Sequence, residues 1–344
     1  MDYLGFKEMS IPNFHISVEI SGACKKRSTG GGTKPRPAPT EKTEREAKKM
    51  KARLAFLSIG LCLCLLAGWG VFGEKPLREE TLPEESPETT LCRVVQEDQG
   101  TLLLAEQGST GVFTLSLGDQ DMTLDGTEFD PSAPGAYQAL PGGSLAGTTV
   151  LVTNSGGFQE TWPLQFSNVT ALAFSTEEFN DLSVLYLQVL EDLWAADPGL
   201  NENITELGVD LSGTSLSYPE RQAVAWAFGQ AHGLTAIQGT YEELAEGGYL
   251  TPISFEGSAG EGEEHPALYQ WEDGCLFSIT ETDDPVVFSL PSLGPGDEIP
   301  DYDGVRFNAE KWRSPLGAYY FQDCTAVSIG GHWGSYTVGS EAIS

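Results

Sequence analysis

Positive charge is scarce beyond residue 53. Twelve of the nineteen Lys/Arg lie in residues 1–53 beside six of the fifty Asp/Glu, which leaves seven basic against 44 acidic side chains in residues 54–344. So acidic a segment repels phosphates, and nucleic acid is excluded as a partner. Histidine is sparse too. Of the four, His232, His265 and His332 fall in the acidic part, and no two stand at metal-ligand spacing. HExxH, CxxC and Gly-x-Ser-x-Gly are all missing, which removes the zinc-protease, thiol-redox and nucleophile-elbow readings. The one GxGxxG match, GWGVFG from Gly68 to Gly73, closes an apolar run without strand-turn-helix context and is read as chance. No catalytic residue, cofactor or metal is assigned.

Two acidic clusters come near a calcium loop without completing it. For Asp121, Asp125 and Gly126, preceded by Asp119, the closing position of an EF-hand register is Ser132, which has no bidentate carboxylate. Asp301, Asp303, Gly304 and Glu310 fit a register whose first ligand would be Ile299, which has no oxygen to offer, so a solvated loop is preferred. Cysteine beyond residue 74 is limited to Cys92, Cys275 and Cys324. An odd number leaves a thiol over. Cys275 with Cys324 is the favoured internal pair, and three buried free thiols are the equal alternative.

One long apolar run is present. Residues 54–73, LAFLSIGLCLCLLAGWGVFG, carry no charge over twenty residues, about 30 Å as a helix and enough to span a bilayer core. With the basic flank held inside, residues 74–344 are expected outside a cell membrane crossed once. Read instead from Met50, MKAR and the apolar stretch resemble an export signal. Either reading exports the acidic part. LLAGW would be a lipid-attachment site if Trp69 were cysteine; as it stands Trp69 cannot be acylated, and a retained single-pass anchor is favoured over cleavage after Gly73.

Residues 74–91 are acidic and proline-containing with few apolar side chains, a linker. Residues 92–174 then alternate short apolar runs with Gly, Asp, Pro and Ser, the pattern of about five strands, with a hairpin expected at Asn154-Ser155-Gly156-Gly157. From Ser175 helical periodicity takes over. Capping boxes open at Ser175, Ser217 and Thr240, strands intervene at 204–212 and 234–239, and a meander with an Asp273-Gly274 hairpin ends the chain. Loop 281–303, long and largely polar, reads as mobile or functional.

The order GTLLLAE, then LAGTTVLVTNSGGFQETWPLQFSNVTAL, with Gly147 before a strand, a turn at Gly156-Gly157 and Glu160 to Pro163 ahead of a last strand, resembles small OB-like modules of exported surface proteins of Gram-positive bacteria. The resemblance covers about eighty residues, implies a closed barrel and an exported setting, and carries no catalytic residue. The expected fold is therefore α+β: a basic tail (1–53, disordered or a misassigned start), a membrane-spanning or signal-anchor helix (54–73), the linker, an OB-like β-barrel (92–174) and an α+β domain with mixed or antiparallel sheet (175–344).

Function is less legible. Trp312, Tyr319, Tyr320, Phe321, Trp333 and Tyr336 crowd the C-terminal meander, and stacked aromatics could hold a glycan or peptide, with Trp312, Tyr320 and Trp333 the chosen ligand-binding residues. Strand alternation sends at least half of this set into the core. His332 beside Cys324 could be drawn as a dyad, but a turn histidine next to a core tryptophan is the better reading. The expectation is a membrane-anchored extracytoplasmic binding protein, leaning away from an enzyme; the alternative is an exported hydrolase with its site in residues 175–344.

Overall fold

The computed structural model describes residues 87–253, 268–287 and 301–344. The basic tail, the apolar run 54–73, linker residues 74–86, His265 and most of loop 281–303 lie outside these. Among the described residues no helix is long and apolar enough to cross a membrane; the longest have 14 residues, about 21 Å at 1.5 Å per residue. This corrects the expected single membrane-spanning helix, and with it the signal anchor and the cell-membrane location, for which the described structure gives no support.

The first sheet is built from β1 (Glu88–Asp98), β2 (Thr101–Glu106), β3 (Val112–Ser116), β4 (Asp121–Leu124), β5 (Thr127–Glu128), β6 (Thr149–Asn154), β7 (Phe158–Gln159), β8 (Leu164–Phe166) and β9 (Val169–Ser175). Their order is β5-β4-β9-β6-β1-β2-β3-β8-β7, with β4/β9 and β3/β8 parallel and the other pairs antiparallel. The path ends at β5 and β7 and does not close. The OB-like barrel is thus corrected to an open sheet, and the reason is visible in β2. Leu102 and Leu104 point to one side with Cys92, Val94, Phe113 and Phe174, while Leu103 and Ala105 point to the other with Val95 and Val112. A barrel strand buries mainly its inner face; these strands are apolar on both because both faces are covered. Nor do Asn154 to Gly157 turn a simple hairpin: β6 pairs with β1 and β9, and the turn leads into β7.

What covers the second face is helical. Helix α1 (Leu182–Ala195) and helix α2 (Tyr218–Ala231) share one cluster with Val95, Leu103, Ala105 and Val112 on one side. On the other lies a second sheet. Its strands are β10 (Glu206–Gly213), β11 (Ala236–Gln238), β14 (Gly274–Thr282), β15 (Tyr302–Ser314), β16 (Gly317–Ile329), β17 (Tyr336–Thr337) and β18 (Ser340–Ile343), after a short helix α3 (Tyr241–Glu246) and the paired β12 (Thr251–Pro252) and β13 (Tyr269–Gln270). The order is β11-β10-β14-β15-β16-β17, with β18 also on β16; β10 is parallel to both β11 and β14. Strand makes up 45% of the described residues and helix 19%, so the molecule is mostly β: two sheets with a helical layer between them, the regions expected as separate domains sharing one core.

The helices show why. Ala223, Val224, Ala225, Ala227 and Phe228 of α2 are all buried, more than one face can hold, as befits a helix between two sheets. The capping boxes at Ser217 and Thr240 form as expected. At Ser175 none forms. That residue ends β9, and α1 starts later, behind Asp181. Asp273-Gly274 does not turn a hairpin either: β14 runs parallel to β10, and Gly274 is needed because a Cβ there would lie 2.1 Å from the indole of Trp271. Cys92, Cys275 and Cys324 are free and buried, which corrects the Cys275–Cys324 pairing. Burial pushes each thiol up to about 12, so no thiolate is available at neutral pH.

Glu310, expected in a solvated loop, instead lies half-buried on β15 against the Tyr320 hydroxyl, and burial raises its carboxyl pKa. A carboxyl whose folded pKa is raised stabilises fully below its unfolded value of about 4.3 and loses that contribution as pH climbs through the folded value. Glu310→Gln is neutral throughout. Its stability, followed by urea unfolding from pH 4 to 8, should fall less with rising pH than the parent's and exceed it at pH 7; a parallel pair of profiles would show Glu310 to be solvated.

Candidate functional site

Trp312, Tyr320 and Trp333, expected to bind a ligand, do not meet on a surface. Trp312 is 8% exposed and packs with Trp271, Leu276 and Leu244 on the outer side of the second sheet. Tyr320 joins the edge of that cluster, paired across the strands with Glu310. Trp333, 5% exposed, belongs to the helix-facing core on the opposite side. Of the expected ligand-binding residues, Trp312 and Trp333 are thus buried on opposite sides of the second sheet and Tyr320 is partly buried, and the three share no surface. Of the acidic pairs, Asp125 accepts from the Thr176 amide and hydroxyl, and among the described residues no group of three His, Cys, Asp or Glu could hold a metal ion.

Two other tryptophans reach water together. Trp162, in the β7–β8 loop at a cis bond to Pro163, is 58% exposed, the most exposed indole among the described residues. Trp226, midway along α2, is half-buried. Both line a depression of about 580 Å³ at the rim of the first sheet, walled by Thr101, Thr114, Gln120, Thr161, Gln165 and Asn168. Both also line a second one of about 250 Å³, whose other walls are Gln222, Gln230, Thr235 and Gln238. Gln222 and Gln238 in turn open a third of about 280 Å³ over the carboxyl ends of β10 and β11. Neighbouring depressions share wall residues, Trp162 and Trp226 between the first two and Gln222 and Gln238 between the second and third, and this row from the first sheet to the second is termed the groove.

Local structure fixes these groups. Gln222, Trp226 and Gln230 stand four residues apart on α2, which puts them in one stripe along the helix. The Gln222 amide donates to the Gln238 Oε1, and the Gln238 Nε2 donates to the Arg221 carbonyl at 3.1 Å, so this pair is held before any ligand arrives. Gln120 is bound in the same way, accepting from the Gly118 amide at 2.7 Å and donating to the Ser116 carbonyl at 3.3 Å. Thr161 donates to the Pro163 carbonyl at 2.7 Å, bracing the loop that carries Trp162.

Among the described residues, the lining of the first two depressions contains no charged side chain. In a segment with 44 acids against seven bases that is notable, because any ionic ligand would need a counter-charge there. Amides and hydroxyls instead offer paired donors and acceptors. Charge enters only at the far end, where Asp210, Arg221 and Glu243 line the third depression with Tyr218. That end lies where β10 sits between two parallel neighbours, the usual position for a ligand crevice in parallel sheets.

Acid–base geometry exists elsewhere. His332 Nδ1 lies 2.5 Å from Asp181 Oδ2, Asp181 Oδ1 accepts from the Trp333 amide at 2.7 Å, and Asn180 Oδ1 accepts from the Trp333 indole at 3.0 Å. Among the described residues no hydroxyl or thiol is hydrogen-bonded to the second ring nitrogen, so the triad needed for acyl transfer is not assembled there. The pair fastens the 329–334 turn to the start of α1. Cys324 is not part of it, being buried among the core side chains.

Comparison with known proteins adds no relative: no protein-family model, no curated protein and no solved structure matches this chain.

Proposed function

We propose that this protein binds a neutral glycan along the Trp162–Trp226 groove. The observation that carries the reading is the pairing of two accessible indoles with a lining of amides, hydroxyls and apolar groups that, among the described residues, contains no charge. A pyranose ring has an apolar face of C–H groups, which stacks on an indole, and a rim of hydroxyls, which both donate and accept; Gln and Asn side chains do the same. An anionic polymer would find no cation beside Trp162 or Trp226. The groove's three linked depressions suit an extended ligand of several sugar units more than a single small molecule.

Titration with a neutral tetramer of N-acetylglucosamine, followed by tryptophan fluorescence and calorimetry, tests this. Binding should quench and shift the emission, and Trp226→Ala should weaken it by about tenfold to thirtyfold, the usual cost of removing an aromatic anchor from a contact centre. Trp312→Phe, altering a buried indole on the opposite side of the second sheet, should leave affinity unchanged. Unaltered affinity in both Trp226→Ala and Trp162→Ala would sink the proposal.

A further inference from the structure

The groove changes character along its length, and the change selects a ligand. Five Lys/Arg fall among the described residues. Arg93 is spent on the Gly147 and Glu178 carbonyls and on Glu220, Lys311 on three carbonyls, and Arg313 on three more. Arg306 does not line the groove. Arg221 does. Its guanidinium makes one bond, from Nη1 to the Ser212 carbonyl at 3.2 Å, and among the described residues no carboxylate pairs with it. Across the same crevice of about 280 Å³ stand Asp210 and Glu243. Asp210 uses Oδ1 on the Ser212 amide and hydroxyl, and Glu243 uses Oε2 on the Thr240 amide, so each keeps one oxygen for a ligand.

A guanidinium without an ion-pair partner, lining the same crevice as two carboxylates, is complementary to a group that carries both signs. Were the crevice meant for an anion alone, Asp210 and Glu243 would oppose it; were it meant for a cation alone, Arg221 would. The amino termini of α2 and α3 do not supply the anion site, because Glu220 and Glu243 already fill them as capping carboxylates. We infer that the ligand is a neutral glycan bearing an amino-acid or short peptide substituent, whose carboxylate pairs with Arg221 and whose ammonium pairs with Asp210 and Glu243 while the sugar chain lies over Trp162 and Trp226. This rests on the glycan reading of the groove.

Three probes separate the two proposals in calorimetry on the full chain: the N-acetylglucosamine tetramer, the same tetramer joined at its reducing end to the side-chain amine of lysine so that the α-ammonium and α-carboxylate are free, and Nε-acetyl-lysine. The conjugate should bind about tenfold tighter than the neutral tetramer, as one well-placed charge-assisted contact allows. Arg221→Gln should bring the conjugate down to the tetramer's affinity without changing the tetramer's own, and Arg221→Lys should recover part of the difference. Equal binding of tetramer and conjugate by the parent, or equal weakening of both by Arg221→Gln, overturns the inference and leaves the glycan groove standing. If neither binds, both readings fall, and if Nε-acetyl-lysine alone matches the conjugate, the crevice is an amino-acid site and the glycan reading falls with it.

Discussion

Replacing Lys311 with methionine should cost the fold about 3 kcal/mol, although Lys311 does not line the groove. Its side chain is fully buried. Nζ donates to the carbonyls of Trp194 at 3.2 Å, Ala196 at 2.7 Å and Asp197 at 3.0 Å, the last turn of α1 and the residues after it. Those carbonyls are the negative end of the helix, and the ammonium from β15 supplies the donors that the helix lacks there. The Phe277 ring lies 5.7 Å from Nζ and adds a weaker attraction. Burial works against the charge and lowers the Lys311 pKa. Methionine has nearly the same length and no charge, so it spares the cost of burying an ammonium but strands three acceptors. Breaking a buried charged network of this kind costs about 3–5 kcal/mol, and the relieved desolvation places the expectation at the lower end. Denaturant unfolding of the full chain reads it directly. A loss below about 1 kcal/mol would mean that water reaches the carbonyls in the variant.

Lys311 also illustrates what composition conceals. In the sequence it sits in VRFNAEKW, where alternation puts Lys311 on one face with Val305, Phe307 and Ala309, and the pairing of β15, with Lys311 opposite Tyr319 and Phe277, sets that face beneath α1. The elements with strong local signals were legible. Ser217 with Glu220 and Thr240 with Glu243 mark helix starts because both halves of each capping box are within four residues. Ser175 with Glu178 has the same letters, but β9 runs through Ser175 because its pairing with β6 continues to that residue. Sheet pairing outweighed a cap.

The candidate site was legible only in fragments, for a physical reason. Its Trp162 comes from a loop of the first sheet, its Trp226 from α2 and its Gln238 from β11, so no sequence window contains it. The aromatic crowding at 312–336 drew attention instead, and it marks packing: Trp312 against Tyr241 and Trp333 over the helices. A usable signal was present in RQAVAWAFGQAH, where Gln222, Trp226 and Gln230 recur every four residues between alanines. Polar and aromatic groups in register on a helix otherwise buried all round point to the one stripe that is open.

Substituting Asp181 with alanine should destabilise the protein by about 2 kcal/mol, and asparagine by less. Asp181 is 6% exposed and precedes α1, yet its carboxylate does not cap the helix; Asn180 Oδ1 takes that place by accepting from the Leu182 amide at 3.0 Å. Asp181 is left to hold His332 and the Trp333 amide. The turn it holds cannot retreat or swell. A Cβ at Gly331 would come within 1.8 Å of the Phe179 carbonyl, and one at Gly142 would lie 3.0 Å from the His332 ring. Alanine at 181 therefore leaves the buried Trp333 amide without a partner, worth about 1–3 kcal/mol, while the His332 ring, 37% exposed, can turn to water. Asparagine can still accept from the Trp333 amide through Oδ1, while its Nδ2 donates to the imidazole. That exchange requires His332 Nδ1 to become the acceptor and Nε2 to carry the proton. The ¹⁵N shifts of the His332 ring should accordingly exchange between its two nitrogens in Asp181→Asn, with a loss below about 1.5 kcal/mol. A variant as unstable as alanine with an unchanged tautomer would show that the charge of Asp181, and not its geometry, holds the 329–334 turn against α1.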